Sequence, residues 1–264
     1  LTVLHKNKHK KERKKGLLMK TETASLEVTP PRPATPAQLK DLCALMVQAV
    51  PAGELTFEAA TRILGNKGEF ICRIRALFPD PAILADPVKA WEKFYLDVFG
   101  LTVDFSQVKI PAQKAGFTRL IFVAKGLTLN GVYDACAKRF ACSRYNDDLD
   151  ASVTENDRKP VENYAIWVRE TVEADEGLKN LSANDLKKKK VVTMTLLERM
   201  LYELKYFLET GKHLDIKNVA LCAGSRYSDG RVPCANWLDS EFKVSWDRPD
   251  YSDPYLRARE AVSL

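Results

Sequence analysis

The chain has 264 residues, 45% apolar and 9% aromatic, and its 41 Lys plus Arg against 35 Asp plus Glu give a formal net charge of +6. That length can bury a substantial core. No run nears the roughly 18 to 20 consecutive apolar residues of a membrane-spanning helix, and no apolar h-region marks a signal peptide. The expectation is a globular, cytoplasmic protein with no membrane partner.

Residues 1–18 (LTVLHKNKHKKERKKGLL) hold six lysines and Arg13 against the single acid Glu12, so they carry the whole charge imbalance and leave the rest neutral. A Lys15-Gly16 pair shortly before Met19 is what an A/G-rich ribosome-binding segment encodes. The expectation is that 1–18 are read-through of untranslated message and that translation starts at Met19. The competing reading is a basic arm that folds on nucleic acid or an acidic membrane surface. Pro30, Pro31, Pro33 and Pro36 with few large apolar neighbours make the rest of 1–36 a disordered linker.

Residues 37–110 read as a helical subdomain. Thr35, Pro36 and Gln38 supply a hydroxyl cap, a first-turn proline and a capping-box partner. The helix they open carries an apolar stripe of Leu39, Leu42, Cys43, Met46 and Val50. Thr56 opens a second helix that Gly65 ends, and GEFICRIRALF forms a third. This pair resembles a DNA-reading helix-turn-helix only weakly, because Thr61 stands where a small residue belongs four positions before the glycine. A plain helical hairpin is preferred. Asp86-Pro87 opens the next helix and Gly100 closes it, with Trp91, Phe94, Tyr95 and Val98 on one buried face.

Residues 111–264 read as an α+β domain. RLIFVAKG (119–126) is a dense apolar strand, followed by a helix capped by Thr128. The acidic stretch 145–160 holds Asp147, Asp148, Asp150, Glu155 and Asp157, but their spacing does not fit a calcium loop. It reads as a solvated loop, and no metal site is expected. NYAIWVR alternates like a strand. Thr195, Glu198 and Gly211 frame the clearest helix, with Leu197, Met200, Leu201, Leu204, Phe207 and Leu208 as its stripe. NVALCAGS, RVPCANW and EFKVSW form a meander in which Phe242, Val244 and Trp246 face inward and Glu241, Lys243 and Ser245 face water. The fold class is α+β: N-terminal helices pack with a mixed sheet that ends in this three-stranded antiparallel meander. The sheet is expected to include the strands near 119–125 and 163–169 and to carry its helices on one face.

The six cysteines contain no CxxC pair, which argues for reduced thiols over zinc or disulfides. A turn at Ser228–Arg231 puts Cys222 and Cys234 on opposite sheet faces, so that pair does not bond. No G-x-S-x-G, H-E-x-x-H, phosphate-loop or G-x-G-x-x-G signature is present, and no cofactor is expected. His213 is the only histidine beyond residue 18. It reads either as a cation at a helix end or as a general base with Cys222 or Ser225 as nucleophile. Arg226, Arg231 and Arg248 with Trp237, Tyr227 and Trp246 form the basic and aromatic mixture an RNA-binding sheet uses; the competing reading places those aromatics in the core. The leading functional expectation is a non-catalytic binding or interaction module with a protein or nucleic-acid partner. Its alternatives are a nucleic-acid binder using the leader or the meander surface, and an enzyme centred on His213.

WEKFYLDVFGL, GLTLNGVYDAC, VEADEGLKNLSANDL, TLLERMLYELKYFLETGKHLD and LCAGSRYSDGRVP resemble segments of a recurring group of uncharacterised hypothetical proteins from candidate-phylum bacteria. The resemblance covers roughly residues 37–264. It implies a bacterial cytoplasmic origin and brings no activity, ligand or site residue with it.

Overall fold

A computed structural model describes residues 86–264, together with 38 and 40. The chain divides into two compact units, Leu1–Cys72 and Arg73–Leu264. In the first, Gln38 and Lys40 are helical, in keeping with the helix expected to open at Thr35. The leader, the linker, Cys43, Cys72 and the helices expected around Thr56 and Gly65 lie outside the described residues.

In the second unit the elements run α1 (Pro87–Phe99), β1 (Arg119–Val123), α2 (Leu129–Ala137), β2 (Cys142–Arg144), α3 (Leu149–Ser152), β3 (Glu155–Asn156), β4 (Tyr164–Val168) and a 3₁₀ turn (Glu176–Leu178). They continue with α4 (Ala183–Lys188), α5 (Leu196–Thr210), β5 (Val219–Leu221), β6 (Ser225–Arg226), β7 (Val232–Leu238), β8 (Glu241–Asp247) and β9 (Leu256–Ala258). The architecture is α+β.

The expected caps form. Asp86 accepts hydrogen bonds from the Val88 and Lys89 amides, Pro87 occupies the first turn where no amide donor is needed, and Gly100 closes α1 in the left-handed conformation at φ 67°. Thr128 caps α2. Thr195 and Glu198 form a reciprocal capping box on α5, which Gly211 ends at φ 66°. Trp91, Phe94 and Tyr95 are buried, and the polar atoms of Trp91 and Tyr95 fasten α1 to β1. Trp91 Nε1 donates to the Leu120 carbonyl at 3.1 Å, and Tyr95 Oη donates to Phe122 O at 2.8 Å and accepts from Ala124 N at 3.0 Å.

Five strands form a mixed sheet in the order β2-β8-β7-β5-β9. Its antiparallel centre, β8-β7-β5, is the expected meander, and β2 and β9 flank it in parallel. Two expectations need correction. First, β1 and β4 do not join this sheet; they pair with each other in an antiparallel ribbon. Trp167 then exchanges backbone hydrogen bonds with Val262, which closes the other edge of β4. Second, helices cover both sheet faces. Strand alternation sends Cys222, Ala235, Phe242 and Val244 into a large core shared with α2 and α5, and Leu221, Val232, Cys234 and Leu256 into a second cluster with Ala183 and Leu186 of α4. The lysine-rich sequence around α4 hides that short apolar face.

Cys222 and Cys234 accordingly sit on opposite faces as free thiols. The turn between the strands has three loop residues instead of two: Gly230 N donates to Tyr227 O, and Tyr227 N donates to Arg231 O. Among the described residues no helix is long and apolar enough to cross a membrane.

Candidate functional site

Helix α5 is buried along its first ten residues, charged ones included. Arg199 is fully buried, and burial works against its charge, but Asp215 and Glu203 outweigh that and hold its pKa above the ordinary value. Its Nε and Nη2 reach Asp215 Oδ2 at 2.9 and 2.8 Å, and its Nη1 reaches Glu203 Oε2 at 2.8 Å. Asp215 also receives Arg259 Nη2 at 2.8 Å and the Ala174 amide at 2.7 Å on Oδ1. Arg259 spends its remaining donors on the carbonyls of Thr171 and Val172. Two guanidinium groups therefore flank one carboxylate, with the lone pairs and N–H groups around them largely taken. This is the arrangement a buried charge requires.

His213 extends the network outward. Its Nδ1 lies 2.8 Å from Glu203 Oε1, within hydrogen-bond distance. Its ring stacks on Trp237 with centroids 3.3 Å apart at 7°, and on Phe207 at 4.8 Å and 20°, with Phe140 edge-on at 5.1 Å. His213 is thus a plate in an aromatic stack oriented by a buried carboxylate.

The two nucleophile candidates are engaged elsewhere. Ser225 is buried; its Oγ donates to Asn156 Oδ1 at 2.6 Å and accepts from the Leu196 amide at 2.9 Å, one of the donors left open in the first turn of α5. Cys222 is buried too, its Sγ directed to the Ala220 carbonyl, and burial pushes the thiol up to about 12. The partners of His213 are Glu203, Phe140, Phe207 and Trp237.

The basic and aromatic candidates separate into four places. Trp237 belongs to the His213 stack. It pairs with Phe242 while Pro233 pairs with Trp246, so four residues of β7, roughly 13 Å of strand, part the two tryptophans. Arg231 lies over Trp246 with its guanidinium carbon 3.9 Å from the ring centroid, and Tyr145, 60% exposed, meets Trp246 edge-on at 5.5 Å. Asp229 anchors Arg231 Nε at 2.6 Å. Arg248 is exposed beside Asp250 at 3.6 Å. Arg226 turns its Nη1 onto the carbonyls of Ala223 and Ser225 at 2.6 and 2.7 Å.

The segment 145–160 is more ordered than a solvated loop. Asp148 caps α3, the Asp150 carboxylate receives the Leu129 and Asn130 amides at the start of α2, and Arg158 grips Glu198 through Nε and Nη2 at 2.7 and 2.8 Å. Among the described residues, no group of three or more His, Cys, Asp and Glu is arranged to hold a metal ion. Sequence reading missed Arg199, Arg158 and Tyr145. The available signal was the i, i+4 spacing of Arg199 and Glu203 beside the apolar stripe of α5.

Comparison of the chain with known protein families, with curated proteins and with solved structures finds no match.

Proposed function

We propose that the chain is a non-catalytic binding module that engages its partner through the platform of Arg231, Trp246 and Tyr145. The observation that carries this reading is the guanidinium 3.9 Å over Trp246 beside a tyrosine left 60% exposed. A large aromatic side chain kept at the surface and backed by a fixed cation is the composition of an interaction hot spot. The enzyme reading at His213 is less well supported, because both nucleophile candidates, Cys222 and Ser225, are buried and bonded into the fold.

The same platform favours single-stranded nucleic acid as a second reading, since unpaired bases stack on exposed aromatic rings and on guanidinium planes. The free thiols of Cys136, Cys142, Cys222 and Cys234 accord with a reducing compartment. The resemblance to hypothetical bacterial proteins adds a bacterial cytoplasm to the proposal.

A photo-crosslinking residue at position 145 of the full chain, expressed in bacterial cells, tests it against the same residue at exposed position 176. A discrete adduct from 145 that 176 does not give supports the platform. Loss of that adduct to nuclease identifies nucleic acid, and loss to protease identifies a protein. Equal labelling at the two positions, or none at 145, ends the proposal.

A further inference from the structure

A cavity of about 390 Å³, lined by none of Tyr145, Arg231 and Trp246, opens between α4 and the β3–β6 pair. Lys187, Lys190 and Arg226 line it together with Glu155 and Asp157, while Leu186, Val191 and Val192 supply an apolar side. Its volume lies in the range of roughly 300 to 1,000 Å³ usual for small-molecule sites.

Of the three cations at this cavity, Lys187 and Lys190 are exposed and Arg226 is half-buried. Arg226 stands directly across the strand pair from Glu155, the position at which opposite charges normally meet. Its guanidinium instead turns back to the Ala223 and Ser225 carbonyls, which fixes the head group and leaves Nε and Nη2 without protein acceptors. Burial pulls Arg226 below its ordinary pKa even with Asp157 and Glu155 nearby. Among the described residues neither Lys187, Lys190 nor Arg226 has a carboxylate within 4.0 Å. The backbone around the cavity is constrained as well. Lys190 is held at φ 55°, a conformation that L residues adopt at a cost. At Gly224 an added Cβ would lie 2.9 Å from the Thr193 carbonyl.

A half-buried guanidinium fixed by two carbonyls with its other donors idle, and two exposed lysines lining the same space, give the cavity the donors an oxyanion needs. Three cations suit the near-dianionic charge of a phosphate monoester better than a single carboxylate. Glu155 and Asp157 accept hydrogen bonds only, so they match hydroxyl groups on the uncharged part of the ligand. We propose that this cavity binds a phosphorylated small molecule bearing hydroxyl groups, with Arg226, Lys187 and Lys190 on the phosphoryl group and Glu155 and Asp157 on the hydroxyls.

Calorimetric titration of the full chain with inorganic phosphate, ribose 5-phosphate and ribose tests this. Ribose 5-phosphate should bind more tightly than phosphate, and ribose alone should give no isotherm. Arg226→Gln should weaken binding by about ten-fold or more, the scale of losing a charge-assisted hydrogen bond, while Arg226→Lys retains part of it. Should Arg226→Gln fail to fold, the Lys187→Gln/Lys190→Gln double variant, which breaks no ion pair, is expected to show a comparable loss. Absence of saturable phosphate binding by the unmodified chain, or equal affinity in folded Arg226→Gln or the double lysine variant, overturns the proposal.

Discussion

Arg199 and Arg226 are both drawn out of water, yet the fold treats them differently. Arg199 is wholly buried and meets two carboxylates, Asp215 and Glu203, one of which it shares with Arg259. Arg226 is half-buried and meets two backbone carbonyls, with a carboxylate standing unused across the strand pair. In the first case the charges neutralise one another inside the protein, so nothing further is needed from solution. In the second the positive charge remains available. The Arg199 network is closed on itself, whereas Arg226 keeps Nε and Nη2 open beside a cavity.

The largest expected effect comes from breaking the satisfied side. Asp215→Asn leaves two buried guanidinium groups, Arg199 and Arg259, without their shared counter-charge. Asparagine tolerates the left-handed φ of 54° at this position, so the charge is what the substitution tests. Removing one partner of a buried ion pair costs about 3 to 5 kcal/mol. Urea unfolding should show that loss in the midpoint, and a loss below about 1 kcal/mol would mean the network is far wetter than its geometry implies.

Next in size is Gly224→Ala, at the wall of the open cavity. The new Cβ would meet Thr193 O at 2.9 Å and Met194 O at 3.1 Å, backbone atoms that move only with the segment entering α5. Overpacking of this kind costs about 1 to 3 kcal/mol. Thr193 O is also the acceptor for Arg158 Nη2, so the shift should loosen the Arg158–Glu198 contact. Thermal unfolding measures the first effect. A double-mutant cycle with Arg158→Gln measures the second, through a coupling term that independent sites would lack.

Thr195→Ala should cost about 1 kcal/mol, the usual worth of a helix cap. Ser225 already gives the Leu196 amide an acceptor, so only the Glu198 amide is left open and the loss should stay at that scale. An effect above about 2 kcal/mol would indicate that the capping box also holds Glu198 in place for Arg158 and Tyr164.

Local signals made the helices and the meander legible. Asp86-Pro87, Thr128 and Thr195 with Glu198 each state where a helix begins, because the groups that satisfy its first amides lie within three residues. The alternation of Phe242, Val244 and Trp246 states which sheet face is inward. The separate β1–β4 ribbon was not legible, because its closing partner Val262 lies far along the chain, and strand pairing at that separation leaves no local pattern. The same limit hid the site. The partners of Arg199, Asp215 and Arg259, come from distant parts of the chain, and it is strand register, not composition, that separates Trp237 from Trp246 and Arg231. Arg226 carried no sign of its cavity, since the lysines facing it come from α4.

The smallest effect is the one that best separates structure from function. Lys190 closes the turn after α4 at φ 55°, with its amide bonded to Lys187 O at 3.0 Å. Left-handed backbone costs an ordinary L residue roughly 1 to 2 kcal/mol, whereas glycine occupies it freely but loses about 0.5 to 1 kcal/mol of unfolded-chain entropy. The difference leaves Lys190→Gly more stable by about 0.5 to 1 kcal/mol, because its side chain makes no ion pair that would be lost. The same change removes one of three cations from the cavity and should weaken phosphate binding several-fold. Stability rising while affinity falls is the signature of a residue kept for a ligand at the expense of the fold. If Lys190→Gly is instead destabilised, the lysine side chain is supporting the turn after α4, and the contrast with Arg199 loses its force at this position.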